Sequence, residues 1–346
     1  MMSLFCQLLS NKHGVRKMKN ITAKAWAEYF PPRVVDNNEL SSVMDTSDEW
    51  IIAHTGIKSR YIAIGENTSE MATKVGQQLL KKAGLSADQI DMIIVSTISP
   101  DALTPATAAI VQANLQATNA FAFDISAACA GFIFALSTAE KFIRNGSYQN
   151  VMVISAENNS KMQDFQDRTS TVFFADGAAG MILSQTTNEQ EEIFVAEKLC
   201  TSGNGQVIHS GRIAPLTKIS TSNYPHIDAF YQNGREVFNF VTQTVITHMT
   251  DFLQEQEIRP EQLDLVVTHQ ANLRLIEKIA QALSLPLSRF GINVTDHGNT
   301  SSVGIPSVLA EQLDQQDQVG LTLLSGFGAG LAYGSLLLDF SGCDLK

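Results

Sequence analysis

An α/β architecture built from two duplicated halves is predicted by three observations. Apolar runs of strand length alternate with stretches of helical periodicity. The apolar runs are continuous rather than alternating, as expected for sheets covered on both faces. The chain also matches itself across half its length. Residues 87–95 read against 260–268, each a short acidic lead into an apolar strand, 173 residues apart. The turn holding Cys129 pairs with the turn holding Asn299 at an offset of 170, and 151–155 pairs with 321–325 at the same offset. A period this long marks two copies of one domain rather than a solenoid. The expected division is a mobile tail over 1–17, an N-terminal half over 18–195 and a C-terminal half over 196–346.

The elements follow in order. Thr46 and Glu49 are spaced as a capping box opening a short helix at Trp50. From Ser69 to Ala83, Ala72, Val75, Leu79 and Ala83 share a helical face, with Asn67 or Thr68 to cap it and Gly84 to end it. Strands are expected at 92–96, 151–155, 264–268 and 321–325. A second amphipathic helix from Ala271 to Leu283 lines up Leu275, Ile279 and Leu283. Residues 200–232 have no period and contain Gly203, Gly205, Gly211 and Pro225, which marks a long functional loop.

Composition narrows the function. The chain has 346 residues, 44% of them hydrophobic, enough for a large core. A formal net charge of -11 and a pI near 5.1 argue against bulk nucleic-acid binding. Cys6, Cys129, Cys200 and Cys343 form no C-x-x-C pair and no zinc spacing, which fits reduced thiols in a cytoplasmic protein and no metal. No apolar run reaches the roughly 20 residues that span a bilayer.

Cys129 is the first candidate for chemistry. It lies where an apolar strand meets a small-residue helix, among Ala127, Ala128, Ala130 and Gly131. A thiol at a helix N-terminus is expected to be pushed toward thiolate. His269 follows an apolar strand directly, at the strand end where α/β folds bind ligands. Asn299 sits in a Gly-Asn turn. Together they offer a nucleophile, an imidazole and a carboxamide.

Seven segments in order carry a family resemblance: Thr46-Ser-Asp-Glu-Trp50, His54-Thr-Gly-Ile57, Ala127-Ala-Cys-Ala-Gly-Phe132, Asp176-Gly-Ala-Ala-Gly180, His269-Gln-Ala-Asn-Leu-Arg274, His297-Gly-Asn-Thr-Ser301 and Phe327-Gly-Ala-Gly330. From about Met18 to Phe340 the chain resembles the β-ketoacyl-acyl-carrier-protein synthases III of the thiolase superfamily. The resemblance implies a thiolase-like five-layered αβαβα fold and a homodimer. It implies decarboxylative condensation of an acyl-CoA primer with malonyl-acyl carrier protein, initiating fatty acid synthesis without a cofactor. Cys129, His269 and Asn299 are then the catalytic triad, and the backbone N–H groups of Cys129 and Ala329 the oxyanion hole. Thr46, Trp50, Thr55, Arg168 and Arg235 are the expected CoA contacts, Trp50 and Arg168 sandwiching the adenine. Thr104 (from the partner subunit) and Phe327 border the acyl channel, and Arg274 and Lys278 belong to the carrier-protein docking face. His54 and Lys58 stand where the family commonly has Arg. The small Thr104 suggests primers longer or more branched than acetyl.

Other readings weigh less. The Gly-rich segment 326–330 lies too near the C-terminus for a dinucleotide-binding unit to follow it. A non-catalytic paralogue is hard to reconcile with an intact triad. A family member diverted to condensing or transferring acyl groups in specialised metabolism is the nearest alternative.

Overall fold

The structure is a computed structural model that describes residues 19–211, Pro215, Ile219 and 227–345. The expected tail over 1–17 and much of the loop 200–232 lie outside the described residues.

In the first half run β1 (Asn20–Tyr29), β2 (Val34–Asp36), β3 (Ser59–Tyr61), β4 (Met92–Ser96), β5 (Phe121–Ile125), β6 (Asn150–Glu157) and β7 (Gly177–Thr186). In the second run β8 (Phe194–Thr201), β9 (Ile208–His209), β10 (Tyr231–Gln232), β11 (Leu265–Thr268), β12 (Leu321–Gly328) and β13 (Ala332–Asp339). The first large sheet has the order β1-β7-β6-β4-β5 and the second β8-β13-β12-β11. The pairings match: two antiparallel contacts, then a parallel one, β6 with β4 and β12 with β11. Where the first sheet continues in parallel to β5, the second has an isolated parallel bridge from Val266 to Phe290. The duplication read from sequence is therefore a duplication of topology.

Alternation along the strands separates three apolar cores, which makes five layers. Ile93, Val95, Met152 and Ile154 pack against Val75 and Leu79 of the outer helix Thr68–Ala83. On the opposite face, Met92, Ile94, Val151 and Val153 meet Phe132 and Leu136 of helix Gly131–Arg144 and Ile305 and Val308 of helix Gly304–Gln315. Val267, Leu324 and Leu336 of the second sheet close that central core from the other side. Val266, Leu323 and Leu337 point outward to Met249, Phe252, Leu275 and Ile279. Fully burying one such side chain contributes about 1.5–3 kcal/mol. Trp26 Nε1 also donates to Asp314 Oδ1 at 2.6 Å, linking β1 to the helix Gly304–Gln315.

Local chemistry sets the helix ends. Asn67 caps Thr68–Ala83 in a capping box with Glu70, and Gly84 ends it in the left-handed region at φ +65°. The helix bearing Trp50 departs from expectation. It runs Asp48–Thr55 and its cap is Ser47, whose hydroxyl accepts from the Trp50 amide at 3.1 Å, so Thr46 is not the capping residue. The strands β6 and β12 are longer than the apolar runs that announced them, and reach Glu157 and Gly328.

Candidate active site

Two elbows present Cys129 and Asn299, and the 3₁₀ turns they enter both begin at positive φ, Ala128 at +48° and Ser301 at +55°. Cys129 and Asn299 each follow a left-handed residue, Ala128 and Gly298, the latter at φ +73°. The elbows lead through the 3₁₀ turns Ala128–Ala130 and Ser301–Val303 into the two central helices. Gly298 needs that conformation, and a Cβ on it would come within 2.9 Å of the Cβ atoms of Ala175 and Arg60. Ala128 adopts it with a side chain, at a cost of about 1 kcal/mol or more, as strained residues beside reactive groups do. The end of β12 closes over the thiol: a Cβ on Gly328 would lie 2.8 Å from the Cys129 amide nitrogen. The next residue, Ala329, has no left-handed backbone, and the positive φ of +137° falls on Gly330. The Cβ of Ala329 is therefore accommodated without strain.

Ser301 joins the three triad residues. Its hydroxyl lies 3.4 Å from Cys129 Sγ. Its N–H donates to Asn299 Oδ1 at 2.9 Å, which fixes the carboxamide oxygen and leaves the NH₂ side as the donor. Its main chain also acts on the His269 imidazole, opposing the effect of burial on that ring. The Asn299 main chain is anchored by its own N–H to the Phe173 carbonyl at 2.8 Å and by the Ala175 amide to its carbonyl at 2.9 Å. His269 stands at the end of β11, 3% exposed, with Phe327 edge-on to its ring at 5.1 Å. One imidazole nitrogen, Nδ1, is buried with no hydrogen-bond partner among the described residues. An orphaned polar atom at this position suits a group that meets substrate.

The charge state differs from the expected thiolate. Burial pushes the Cys129 thiol up to about 12, and Glu157 adds to the rise; hydrogen bonds from Ser301 and the Cys129 main chain work against it. Desolvation is the largest of these effects. Burial likewise pushes His269 down to about 3. The resting pair is a neutral thiol and a neutral imidazole rather than an ion pair.

A cavity of about 230 Å³ runs from a rim of His54, Arg274 and Phe238 down to Asn299. Phe173, Val237 and Leu275 line its wall. A larger depression of about 650 Å³, beside Glu66, Lys161 and Phe165, contains none of the triad residues.

The outer residues fare unevenly. Trp50 stacks on His54 at 4.3 Å, and Arg168 lies 5.5 Å over the same indole while bonding the Asp45 carbonyl at 2.8 Å. Thr55 is a correction: it is fully buried, its hydroxyl donating to the Ile51 carbonyl and accepting from the Ile57 amide, so its side chain closes a helix end and presents nothing to a ligand. The Thr46 hydroxyl is buried without a partner. Arg235 is exposed at the start of helix Gly234–Phe240. Thr104 is exposed on the loop that leaves Leu103 74% exposed. Arg274 is more constrained than a docking residue needs to be. It donates to the carbonyls of Ile52 and Ala53, satisfying the end of helix Asp48–Thr55, and pairs with Glu277. Lys278 is exposed, its ammonium 3.4 Å from Gln281 Oε1. Sequence reasoning passed over Ser301 and Glu157. A charged residue ending the buried run 151–156 was the available signal for the second.

Comparisons with known proteins find relatives along most of the chain. The family model described as 3-oxoacyl-[acyl-carrier-protein (ACP)] synthase III matches residues 123–203, and its C-terminal counterpart matches 253–340. A β-ketoacyl-[acyl-carrier-protein] synthase III of Lactiplantibacillus plantarum is 59% identical over 315 residues, covering 91% of this chain and 97% of that one. A solved β-ketoacyl-[acyl carrier protein] synthase III from Thermus thermophilus superimposes with a TM-score of 0.84 at 35% identity, over 93% of this chain and 100% of that one. The priming β-ketosynthase of the R1128 polyketide pathway gives a TM-score of 0.85 at 28% identity, over 95% and 98% of the two chains.

Proposed function

The chain belongs to the 3-oxoacyl-[acyl-carrier-protein] synthase III family, and from that premise we propose that it starts fatty acid synthesis by condensing an acyl-CoA primer with malonyl-acyl carrier protein through an acyl-Cys129 intermediate. The single observation that carries the reading is Ser301, whose hydroxyl lies against the sulfur of Cys129 while its N–H holds the carboxamide of Asn299.

The sulfur attacks the primer thioester, the thiol proton leaves with the CoA sulfur, and the acyl group stays on Cys129. Malonyl thioester then loses CO₂. The electron pair of the broken C–C bond forms an enolate, whose oxygen accepts hydrogen bonds from His269 and Asn299. The enolate carbon attacks the acyl group, and the released thiolate takes up one proton. Backbone donors at Cys129 and Ala329 hold the tetrahedral oxyanion; one such donor is worth about 3 kcal/mol. Neutral His269 suits a hydrogen-bonding role toward the enolate, and the steps as written call for no metal or organic cofactor.

Arg168, Trp50 and Arg235 are the proposed grips on the CoA nucleotide, with His54 at the rim and the Thr46 hydroxyl available to it. Lys278 and the outward part of Arg274 are proposed to meet the acidic carrier protein. A homodimer is proposed, with Thr104 and the exposed Leu103 of one chain reaching the acyl channel of the other beside Phe327. A cytoplasmic location fits the three described cysteines, all free thiols. The polyketide relative is much less similar in sequence than the Lactiplantibacillus enzyme, which favours the fatty-acid reading over a diverted one.

The test is a condensation assay with purified chain, malonyl-acyl carrier protein and acyl-CoAs of increasing length and branching. Release of CO₂ with formation of 3-oxoacyl carrier protein is the expected result. His269→Ala and Asn299→Ala are expected to lose malonyl decarboxylation by about a hundredfold each. Undiminished decarboxylation in both would remove their role.

A further inference from the structure

The last residue of β6, Glu157, is fully buried and takes no direct part in the chemistry described above. Its Oε2 accepts hydrogen bonds from Ser99 Oγ at 2.6 Å, the Ile98 amide at 3.0 Å and Thr97 Oγ1 at 3.2 Å. Its Oε1 accepts from Ser302 Oγ at 2.9 Å. Two of these hydroxyls are oriented by other donors: Thr97 Oγ1 accepts from the Ser99 amide, and Ser99 Oγ from the Asn158 amide. Their protons are therefore directed to the carboxylate. The four donors come from the loop after β4 and from the elbow that carries Asn299, one from each duplicated half. Ser302 is chain neighbour to Ser301, whose hydroxyl touches the Cys129 sulfur.

We propose that Glu157 is a positioning residue of the acyl-accepting site, clamping the Ser302 turn to the N-terminal half so that Ser301 is held against Cys129. The inference rests on Cys129 being the acyl acceptor. Its electrostatics have a direction. Burial raises the Glu157 carboxyl above its ordinary value, its four donors offsetting only part of the rise, and in its charged form it opposes ionisation of the Cys129 thiol. The ammonium of Lys161, on the turn after β6, also acts on Glu157. A carboxamide at 157 can keep the clamp. Its oxygen takes the three-donor side and its NH₂ donates to Ser302 Oγ, whose proton turns to the Ser96 carbonyl 3.4 Å away.

The experiment measures two things on Glu157→Gln, Glu157→Ala and Ser302→Ala. One is the rate of acyl transfer to Cys129 from acetyl-CoA and butyryl-CoA, by rapid-quench intact mass. The other is the pH profile of Cys129 alkylation by iodoacetamide, read on the Cys129 peptide. Glu157→Ala and Ser302→Ala should each slow acylation about tenfold, the rate equivalent of one lost buried hydrogen bond. Glu157→Gln should acylate near the wild-type rate while its alkylation profile moves to lower pH. A carboxylate that only supported the fold would leave that profile in place. Wild-type acylation rates in Ser302→Ala, or a Glu157→Gln profile superimposable on wild type, would overturn the proposal; neither variant removes core volume, so both remain usable if Glu157→Ala does not fold. Acylation persisting in Cys129→Ala would instead refute the parent reading, independently of the Glu157 variants.

Discussion

Ser301 and Cys129 show how far a single residue can be understood from its neighbours. Removing the Ser301 hydroxyl takes away a side-chain contact to the sulfur. Ser301→Ala is therefore expected to slow acylation about tenfold with little change in melting temperature. The charge state makes a sharper prediction. With the thiol pushed up to about 12 and the imidazole down to about 3, the thiolate fraction grows with every step in pH through the working range. Alkylation of Cys129 should rise about tenfold per pH unit from 7 to 10, following the thiolate fraction. A plateau below pH 7 would indicate an ion pair. The places of Cys129, His269 and Asn299 were legible in sequence because strand ends and Gly or small-residue turns announce themselves locally, and the family resemblance grouped them as the proposed triad. The thiol's charge was not legible, because it depends on how much protein the other half lays over it.

At the scale of elements, the decisive features are ends rather than middles. β12 runs on past its apolar stretch to Gly328, where it meets Cys129 with no room for a side chain. Gly328→Val should displace that strand end, abolish acylation and leave a folded protein of lower melting temperature. The helix Asp48–Thr55 is another case. Sequence spacing favoured Thr46 as its cap, yet the chain turns one residue later, because Ser47 reaches the Trp50 amide. Cap positions one residue apart cannot be separated by spacing alone. Ser47→Ala is expected to destabilise the chain by about 1 kcal/mol in chemical denaturation. At the other end of the same helix His54 stacks on Trp50 at the mouth of the cavity. Replacing it by Arg supplies a permanent charge for a phosphate. His54→Arg should lower the KM for acyl-CoA about tenfold with kcat unchanged.

For the whole molecule, the internal repeat was the strongest signal in the sequence, and its topological counterpart is the matching strand order of the two sheets. Periodicity identified the helices and strands but not the partnership between halves, because which sheet face meets which helix is settled only by packing. That partnership also carries a charge cluster. Glu28 on β1 is raised to about 8, first by burial and then by Glu311 and Asp314 of the helix Gly304–Gln315, with Lys82 opposing. The folded state thus holds a proton that the unfolded chain releases near 4.5. Stability should fall as pH rises from about 4.5 to 8 through this group, and Glu28→Gln should flatten that part of the curve in thermal melts. A melting profile unchanged by Glu28→Gln would show that the group does not titrate on unfolding.

Passage of the acyl group through Cys129 is the step on which the proposed condensation turns, and intact mass measurement after mixing the chain with acyl-CoA tests it directly. The wild-type chain should gain the mass of one acyl group at Cys129, lost again on addition of malonyl-acyl carrier protein, while Cys129→Ala gains nothing. An unmodified wild-type chain that still forms 3-oxoacyl product, or an acylated Cys129→Ala variant, would contradict it.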